Sequence, residues 1–193
     1  MAFKRYQDYS YWRQRYADGD PEERFEWYQG YRSGLKKLIR DRVPRDARIL
    51  MIGCGNSPLS EEMMTDGYTD IVNIDFVAQV IRRMAKCCAD VDGLTWEVMD
   101  ARDLTFPDAS FDVVIDKGTI DAMDAGPTNV AQICSEARRV LRPEGLFIVV
   151  SVAFGITRMS QLNRPELGWH AEKRYVRLGP PLFAYLMTFD DRE

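Results

Sequence analysis

The sequence predicts a single doubly wound α/β domain built on a mainly parallel sheet. Three observations carry this. From Arg48 onward, short apolar and β-branched runs alternate with helical patterns, the order that builds a parallel sheet covered on both faces. No repeat, low-complexity tract or linker divides the 193 residues, a length that suits one domain with a substantial core. A Gly53-Cys54-Gly55 loop joins the first strand to a helix, and such loops lie at the carboxyl end of the sheet, where ligands bind.

In chain order, residues 6–40 read as helical pieces crowded with aromatics: Tyr6, Tyr9, Tyr11, Trp12, Tyr16, Phe25, Trp27, Tyr28 and Tyr31. Residues 1–46 are expected to form an aromatic, helical lid on a core of residues 47–193. Residues 6–28 have little helical periodicity, so they should be loosely docked until a ligand orders them. The core strands are predicted at Arg48–Ile52, Asp70–Asp75, Leu94–Met99, Phe111–Asp116 and Leu146–Ser151. After the first, Ser57 can cap a helix with Pro58 at its first position, Glu61 and Glu62 in its first turn and Gly67 past its end. Val77, Val80, Ile81 and Met84 give the second helix a buried stripe. Val130, Ile133, Cys134, Ala137 and Val140 do the same for a helix that ends before a turn at Arg142-Pro143-Glu144-Gly145. Two last strands, Trp169–Leu178 and Leu182–Phe189, meet through Gly179-Pro180-Pro181 as an antiparallel hairpin that closes the edge.

Composition removes several classes of function. Residues are 46% hydrophobic and 29% charged, as in a globular protein. A net charge of −4 argues against general affinity for nucleic acid or anionic membrane. The longest apolar run, Gly145 to Ile156, is broken by Ser151 and falls short of the ~20 residues a spanning helix needs. The first ten residues carry no apolar signal-like segment. The four cysteines form no CxxC pair and read as reduced thiols, which points to the cytoplasm. His170 is the single histidine, so no metal site and no Ser-His-Asp hydrolase is expected.

The chemistry gathers at strand ends. The Gly53-Cys54-Gly55-Asn56-Ser57 loop has Pro58 where a dinucleotide fingerprint wants its third glycine, and it is no P-loop. Taken alone it is a tight strand-to-helix turn. Asp75 follows Gly55 by 20 residues and ends the next strand, where a carboxylate can accept both hydroxyls of a ribose. Asp100 ends the third strand, where it could read an adenine amino group while Ala101 donates from its backbone. Each acid alone could be a helix cap or a solvated turn. Together the three strand ends describe an adenosine site without a diphosphate loop.

On these motifs the chain resembles the seven-strand class I methyltransferases that use S-adenosyl-L-methionine, and most of all the eukaryotic lysine methyltransferases acting on translation elongation factor one-alpha. The matching stretches include Tyr11-Trp12, Arg15-Tyr16, Phe25-Glu26-Trp27-Tyr28, Val72-Asn73-Ile74-Asp75 and Phe106-Pro107-Asp108-Ala109-Ser110-Phe111. The run Asp116-Lys117-Gly118-Thr119-Ile120-Asp121-Ala122 is more specific than the glycine loop, which the whole class shares. The resemblance implies a Rossmann-like seven-stranded sheet, mainly parallel with an antiparallel final strand. It implies that Trp12, Tyr16 and Trp27 fold over the cofactor, with Gly53 at its amino-acid end. It places Asp75 and Phe76 at the ribose, Asp100 and Ala101 at the adenine, and Lys117 beside the methionine part.

The implied reaction is an in-line displacement at a sulfonium methyl by a lysine Nε. Aromatic faces attract the sulfonium cation by ~0.5–2 kcal/mol. Presenting a neutral lysine at pH 7.4 costs about 4 kcal/mol, so acids are expected at the rim and rings at the reaction point. Asp121 is the candidate for orienting the amine or relaying its proton. Residues Glu97 to Asp124 carry eight acids against Arg102 and Lys117, which suits a cationic acceptor. Lys36, Lys37, Arg40, Arg42, Arg45 and Arg48 read as a solvated basic face rather than a docking patch, and His170 as structural. The expected partner is a protein substrate, with no nucleic acid and no membrane, and the protein is expected to be a monomer. Rival readings are a small-molecule methyltransferase and a cofactor-binding module without catalysis.

Overall fold

The computed structural model describes residues 6, 8–18, 23–123, 127–153, 155–176 and 182–189. Five parallel strands form the body of the sheet: β1 (Arg48–Ile52), β2 (Asp70–Asp75), β3 (Leu94–Val98), β4 (Phe111–Lys117) and β5 (Leu141–Ser151). β6 (Trp169–Val176) and β7 (Leu182–Phe189) pair antiparallel, and β7 also pairs antiparallel with β5. The order across the sheet is β3-β2-β1-β4-β5-β7-β6. This is the expected Rossmann-like α/β architecture with a mixed sheet. The order reverses between β1 and β4, which opens a crevice at the carboxyl ends of those strands. The Gly179-Pro180-Pro181 turn lies outside the described residues.

The helices are α1 (Tyr9–Asp18), α2 (Lys36–Arg42), α3 (Leu59–Thr65), α4 (Ala78–Cys87), α5 (Thr119–Met123), α6 (Pro127–Val140) and α7 (Gly155–Leu162). The stripes of α4 and α6 are buried as their spacing predicts. Alternate residues of the strands feed two cores. Leu50, Ile52, Val114, Phe147 and Val149 face α6 residues such as Ile133 and Val140. Ile49, Met51, Val113, Ile115 and Ile148 face Leu35, Ile39 and Leu59. α3 starts one residue later than expected, with Pro58 at its N-cap position, while the Ser57 Oγ accepts the Leu59 N–H at 3.2 Å.

Four expectations change. β3 stops at Val98, and β4 runs on to Lys117. β5 starts at Leu141 rather than Leu146, because the Arg142–Gly145 turn is a wide excursion inside the strand: Leu141 pairs with Phe111 and Leu146 already with Val113. Glu144 takes a positive φ of 65° to make it, with Arg142, Pro143 and Glu144 exposed. The aromatic N-terminal segment is not uniformly loose. Residues 23–30 form a strap tied to the sheet: Phe25 N–H donates to Asn56 O at 3.2 Å, and Asn56 Nδ2 donates to Glu23 O at 3.0 Å. A π-helical turn, Tyr31–Leu35, then leads into α2 and buries Tyr31 and Leu35.

The basic stretch is largely neutralised within the molecule. One carboxylate, Asp66, receives Lys36 at 2.8 Å, Arg45 at 2.7 Å, Arg40 and the Tyr31 hydroxyl at 2.6 Å. Lys37 pairs with Asp41 and Arg42 with Glu172. These contacts tie α2 and the π-turn to the end of α3.

Candidate active site

A cavity of about 470 Å³ lies across the carboxyl ends of the strands, within the usual size of small-molecule sites. The structure brings Trp12, Tyr16, Trp27, Gly53, Gly55, Asp75, Phe76, Asp100, Ala101, Lys117 and Asp121 to its walls. Met51, Ile52 and Met99 add apolar lining, and Tyr28, Val152 and Arg158 complete the end near β4 and β5.

At the β2 end, Asp75 Oδ1 accepts the Val77 N–H at 2.9 Å and Oδ2 the Gly55 N–H at 3.1 Å. The carboxylate is 6% exposed, and burial pushes its pKa up to about 6 against those two donors. At the β3 end, Asp100 is clamped by Arg102: Nη2 reaches Oδ2 at 2.6 Å, while Nε and the Arg102 N–H reach Oδ1 at 3.0 and 2.9 Å. Burial opposes ionisation there, but the Arg102 hydrogen bonds outweigh it and hold the carboxyl below its ordinary range.

The glycine loop serves packing more than the sequence suggested. Gly53 and Gly55 have φ of 57° and 53°, a region that favours glycine. Their missing side chains do not leave room for a ligand. A Cβ on Gly53 would lie 2.0 Å from Thr119 Oγ1, and one on Gly55 would lie 2.6 Å from the Tyr16 hydroxyl. The loop is therefore locked between α5 and α1.

Lys117 fastens the strap. Its ammonium pairs with Glu26 Oε1 and donates to Trp27 O at 3.0 Å, and Ser57 Oγ donates to the same Glu26 oxygen at 3.0 Å. The side chain is 5% exposed, and burial lowers its pKa while Glu26 opposes that. Above it the rings form one wall. Trp12 stacks on Tyr16 at 5.9 Å and meets Trp27 edge-on at 5.9 Å. The Arg15 guanidinium already covers Trp27 at 5.2 Å, so part of that ring's attraction for cations is used inside the protein.

Asp121 is more enclosed than expected. Its Oδ1 accepts Ser151 Oγ at 2.5 Å and Arg158 Nη2 at 2.8 Å, and its Oδ2 accepts the Tyr28 hydroxyl at 2.7 Å and the Val152 N–H at 3.1 Å. Four donors, one of them a fully buried guanidinium, fill the carboxylate and make it a poor relay for a proton. Sequence reasoning missed both Arg158 and Tyr28. Gly155, Arg158 and Leu162 form the buried face of α7, at the i, i+3, i+7 spacing of a core stripe, and that pattern was the available signal. Tyr28 falls within the Phe25-Glu26-Trp27-Tyr28 stretch, but nothing there signals its place beside Asp121, and its φ of 64° is rare for a residue with a side chain. Asp116, beneath α5, accepts the Thr119 and Ile120 N–H groups at 3.0 and 3.1 Å. Burial, then repulsion from Asp121, pushes its pKa up to about 7.

Comparison with known proteins settles the family. A methyltransferase domain family matches residues 50–149. EEF1A lysine methyltransferase 4 of Mus musculus is 36% identical over 193 residues, which cover 94% of this chain and 75% of that one. The chain belongs to the eEF1A lysine methyltransferase family. A second member of this family, the eEF1A lysine and N-terminal methyltransferase of Homo sapiens, is 34% identical across 92% of this chain and 28% of its own length. A SAM-dependent methyltransferase from Methanosarcina mazei shares the fold, with a TM-score of 0.65 at 18% identity over 79% of this chain and 98% of that one.

The protein is thus an S-adenosylmethionine-dependent methyltransferase, and its residues fit that cofactor. Asp75 supplies the test: it is a buried carboxylate with a single backbone donor on each oxygen. Two ribose hydroxyls are the donors such a group lacks.

Proposed function

We propose that this methyltransferase modifies the Nε of a lysine on elongation factor one-alpha. The observation that carries this is one cavity with two unlike ends: acids at β2 and β3 suited to a nucleoside, and a charge-balanced pocket at β4 and β5 open to an acceptor. The printed activities of the two relatives support the same target. The bound cofactor supplies an activated methyl on a sulfonium; the protein's part is alignment of the two reactants. Asp75 holds the ribose with Phe76 beside it. Asp100 Oδ2 and the Ala101 backbone meet the adenine, Asp100 being shared with Arg102. Lys117 has used two of its three protons and keeps one for the methionine carboxylate. Trp12, Tyr16 and Trp27 cover the sulfonium, Gly53 and Gly55 shape the floor, and α1 is the lid.

We place the protein in the cytoplasm as a monomer. The four cysteines are thiols, and no described helix is long and apolar enough to cross a membrane. The deciding experiment is incubation with labelled cofactor and purified elongation factor one-alpha, followed by mapping of the labelled residue. Label on a lysine supports the proposal. Label on another kind of residue, or no label on the protein at all, sinks it.

Cofactor affinity tests the nucleoside end separately. Asp75→Ala should weaken binding by about 2–4 kcal/mol, through loss of hydrogen bonds to a charged acceptor. The ribose hydroxyls favour the ionised carboxylate, which dominates above a pKa of about 6. Affinity should therefore rise as pH climbs through 6 and fall about tenfold per unit well below it. Calorimetry from pH 5 to 8 checks both statements. Affinity that is flat with pH and unmoved by Asp75→Ala contradicts this assignment.

A further inference from the structure

We propose that Tyr28 receives the acceptor amine, with its hydroxyl aimed for that task by Asp121. The inference deepens the lysine reading above and rests on it.

The position follows from topology. The acids that suit a nucleoside end β2 and β3, so the far end of the cavity, past β1 and β4, is where the acceptor must enter. Tyr28 and Val152 stand at that end and are 38% and 41% exposed, so an incoming side chain can reach them. Tyr28 is also held in place. It adopts a left-handed φ of 64°, the kind of strain that persists where surrounding contacts enforce it. Its ring lies on Gly118, where a Cβ would come within 3.1 Å of Cε2. Its hydroxyl donates to Asp121 at 2.7 Å.

That hydrogen bond fixes what the hydroxyl can do. Its one proton is committed to Asp121, so the cavity meets only oxygen lone pairs, which accept an N–H. Burial and the neighbouring carboxylate raise the phenol pKa, so Tyr28 is an acceptor and not a base. Asp121 is balanced by the buried Arg158 at 2.8 Å, so among the described residues at this end of the cavity no uncompensated carboxylate is left to trap the lysine as ammonium. A neutral amine fits it. When the nitrogen attacks, the N–C bond forms and the C–S bond breaks with its electron pair going to sulfur. The nitrogen becomes cationic, and its surplus proton leaves to water after release. The N–H···O bond to Tyr28 then has a charged donor and strengthens in the transition state. Tyr28 is by this account a catalytic residue, and Asp121 a positioning residue that acts through it.

The experiment is Tyr28→Phe, which keeps the ring on Gly118 and removes only the hydroxyl, assayed with purified elongation factor one-alpha. The expected result is a fall in kcat of about 10–100-fold, as for a hydrogen bond to a charged group. KM for the protein substrate and Kd for the cofactor should stay within about twofold, because most of that bond's strength is gained in the transition state, when its donor becomes charged. Asp121→Asn should lower kcat by a similar factor, and in the Tyr28→Phe background it should add almost nothing, which a purely structural role would not produce. Should Asp121→Asn fail to fold, Tyr28→Phe decides alone. Wild-type kcat in Tyr28→Phe, or a loss confined to KM or cofactor Kd, overturns the role of Tyr28 and leaves the lysine reading standing. A wild type that transfers no label to any lysine overturns that reading and this one with it.

Discussion

Arg158→Met should lower stability by about 3–5 kcal/mol, since it removes one partner of a buried ion pair and strands the other. Arg158 is fully buried, and its Nη2 and Nη1 reach Asp121 Oδ1 and Gln161 Oε1 at 2.8 and 2.6 Å. Methionine fills much of the volume but leaves Asp121, 10% exposed, with three neutral donors and no countercharge. The expected shift in melting temperature is roughly 6–20 °C for a chain of this size. Removing both charges, as Arg158→Met with Asp121→Leu, should restore most of the loss, because a buried pair contributes little net stability over apolar packing. Urea unfolding of the single and double variants measures the coupling. A single variant within about 1 kcal/mol of wild type would show that water, and not the guanidinium, balances Asp121.

Much of the fold could be read because its strands are buried on both faces and bounded by turn residues. Arg48–Ile52, Asp70–Asp75 and Leu182–Phe189 have the bounds their composition suggests. β5 defeats that logic because Pro143 and Gly145 form a turn that the ladder simply steps over. α1 was hard to read for another reason. It packs through its own rings, Tyr16 and Trp12, against Val77, Val80 and Met84 rather than through an aliphatic stripe facing the sheet.

The site divides the same way. Its nucleoside end was legible because each group sits at the end of its own strand, and strand ends can be counted from sequence. Its acceptor end was not, because Asp121 meets Tyr28 across 93 residues and Arg158 across 37. An arginine on a short helix reads as solvated until α7 is packed. The sequence offers Asp121 to orient the amine or relay its proton, but it does not show the strap, β5 and α7 closing around it. Lys117 shows the reverse: its place at the cavity was expected, but its charge chiefly secures the strap.

Deleting residues 1–30 should reduce methyl transfer by at least about a hundredfold, the scale expected when reactants lose their alignment. The cut falls before the π-helical turn, so Tyr31, Leu35 and Ile39 remain in their core and the sheet should stay folded. The cavity, however, loses Tyr6, Trp12, Tyr16, Trp27 and Tyr28 from its wall. Lys117 is left at the β4 end without Glu26 or Trp27 O. The two halves of the segment should also respond differently to cofactor. The strap is already tied, with Arg24 on Glu61 at 2.9 Å as well as the bonds to Asn56, Ser57 and Lys117. α1 is held by ring contacts and by Arg15 over Phe25 and Trp27, with no such line of backbone bonds among the described residues. A cationic ligand under Trp12 and Tyr16 adds a partner there and favours the docked helix by its differential affinity. Hydrogen exchange over Tyr9–Asp18 should therefore slow with added cofactor, far more than over residues 23–30 or β1. If residues 31–193 transfer methyl at the full rate, the aromatic wall is packing alone, and α1 is no lid.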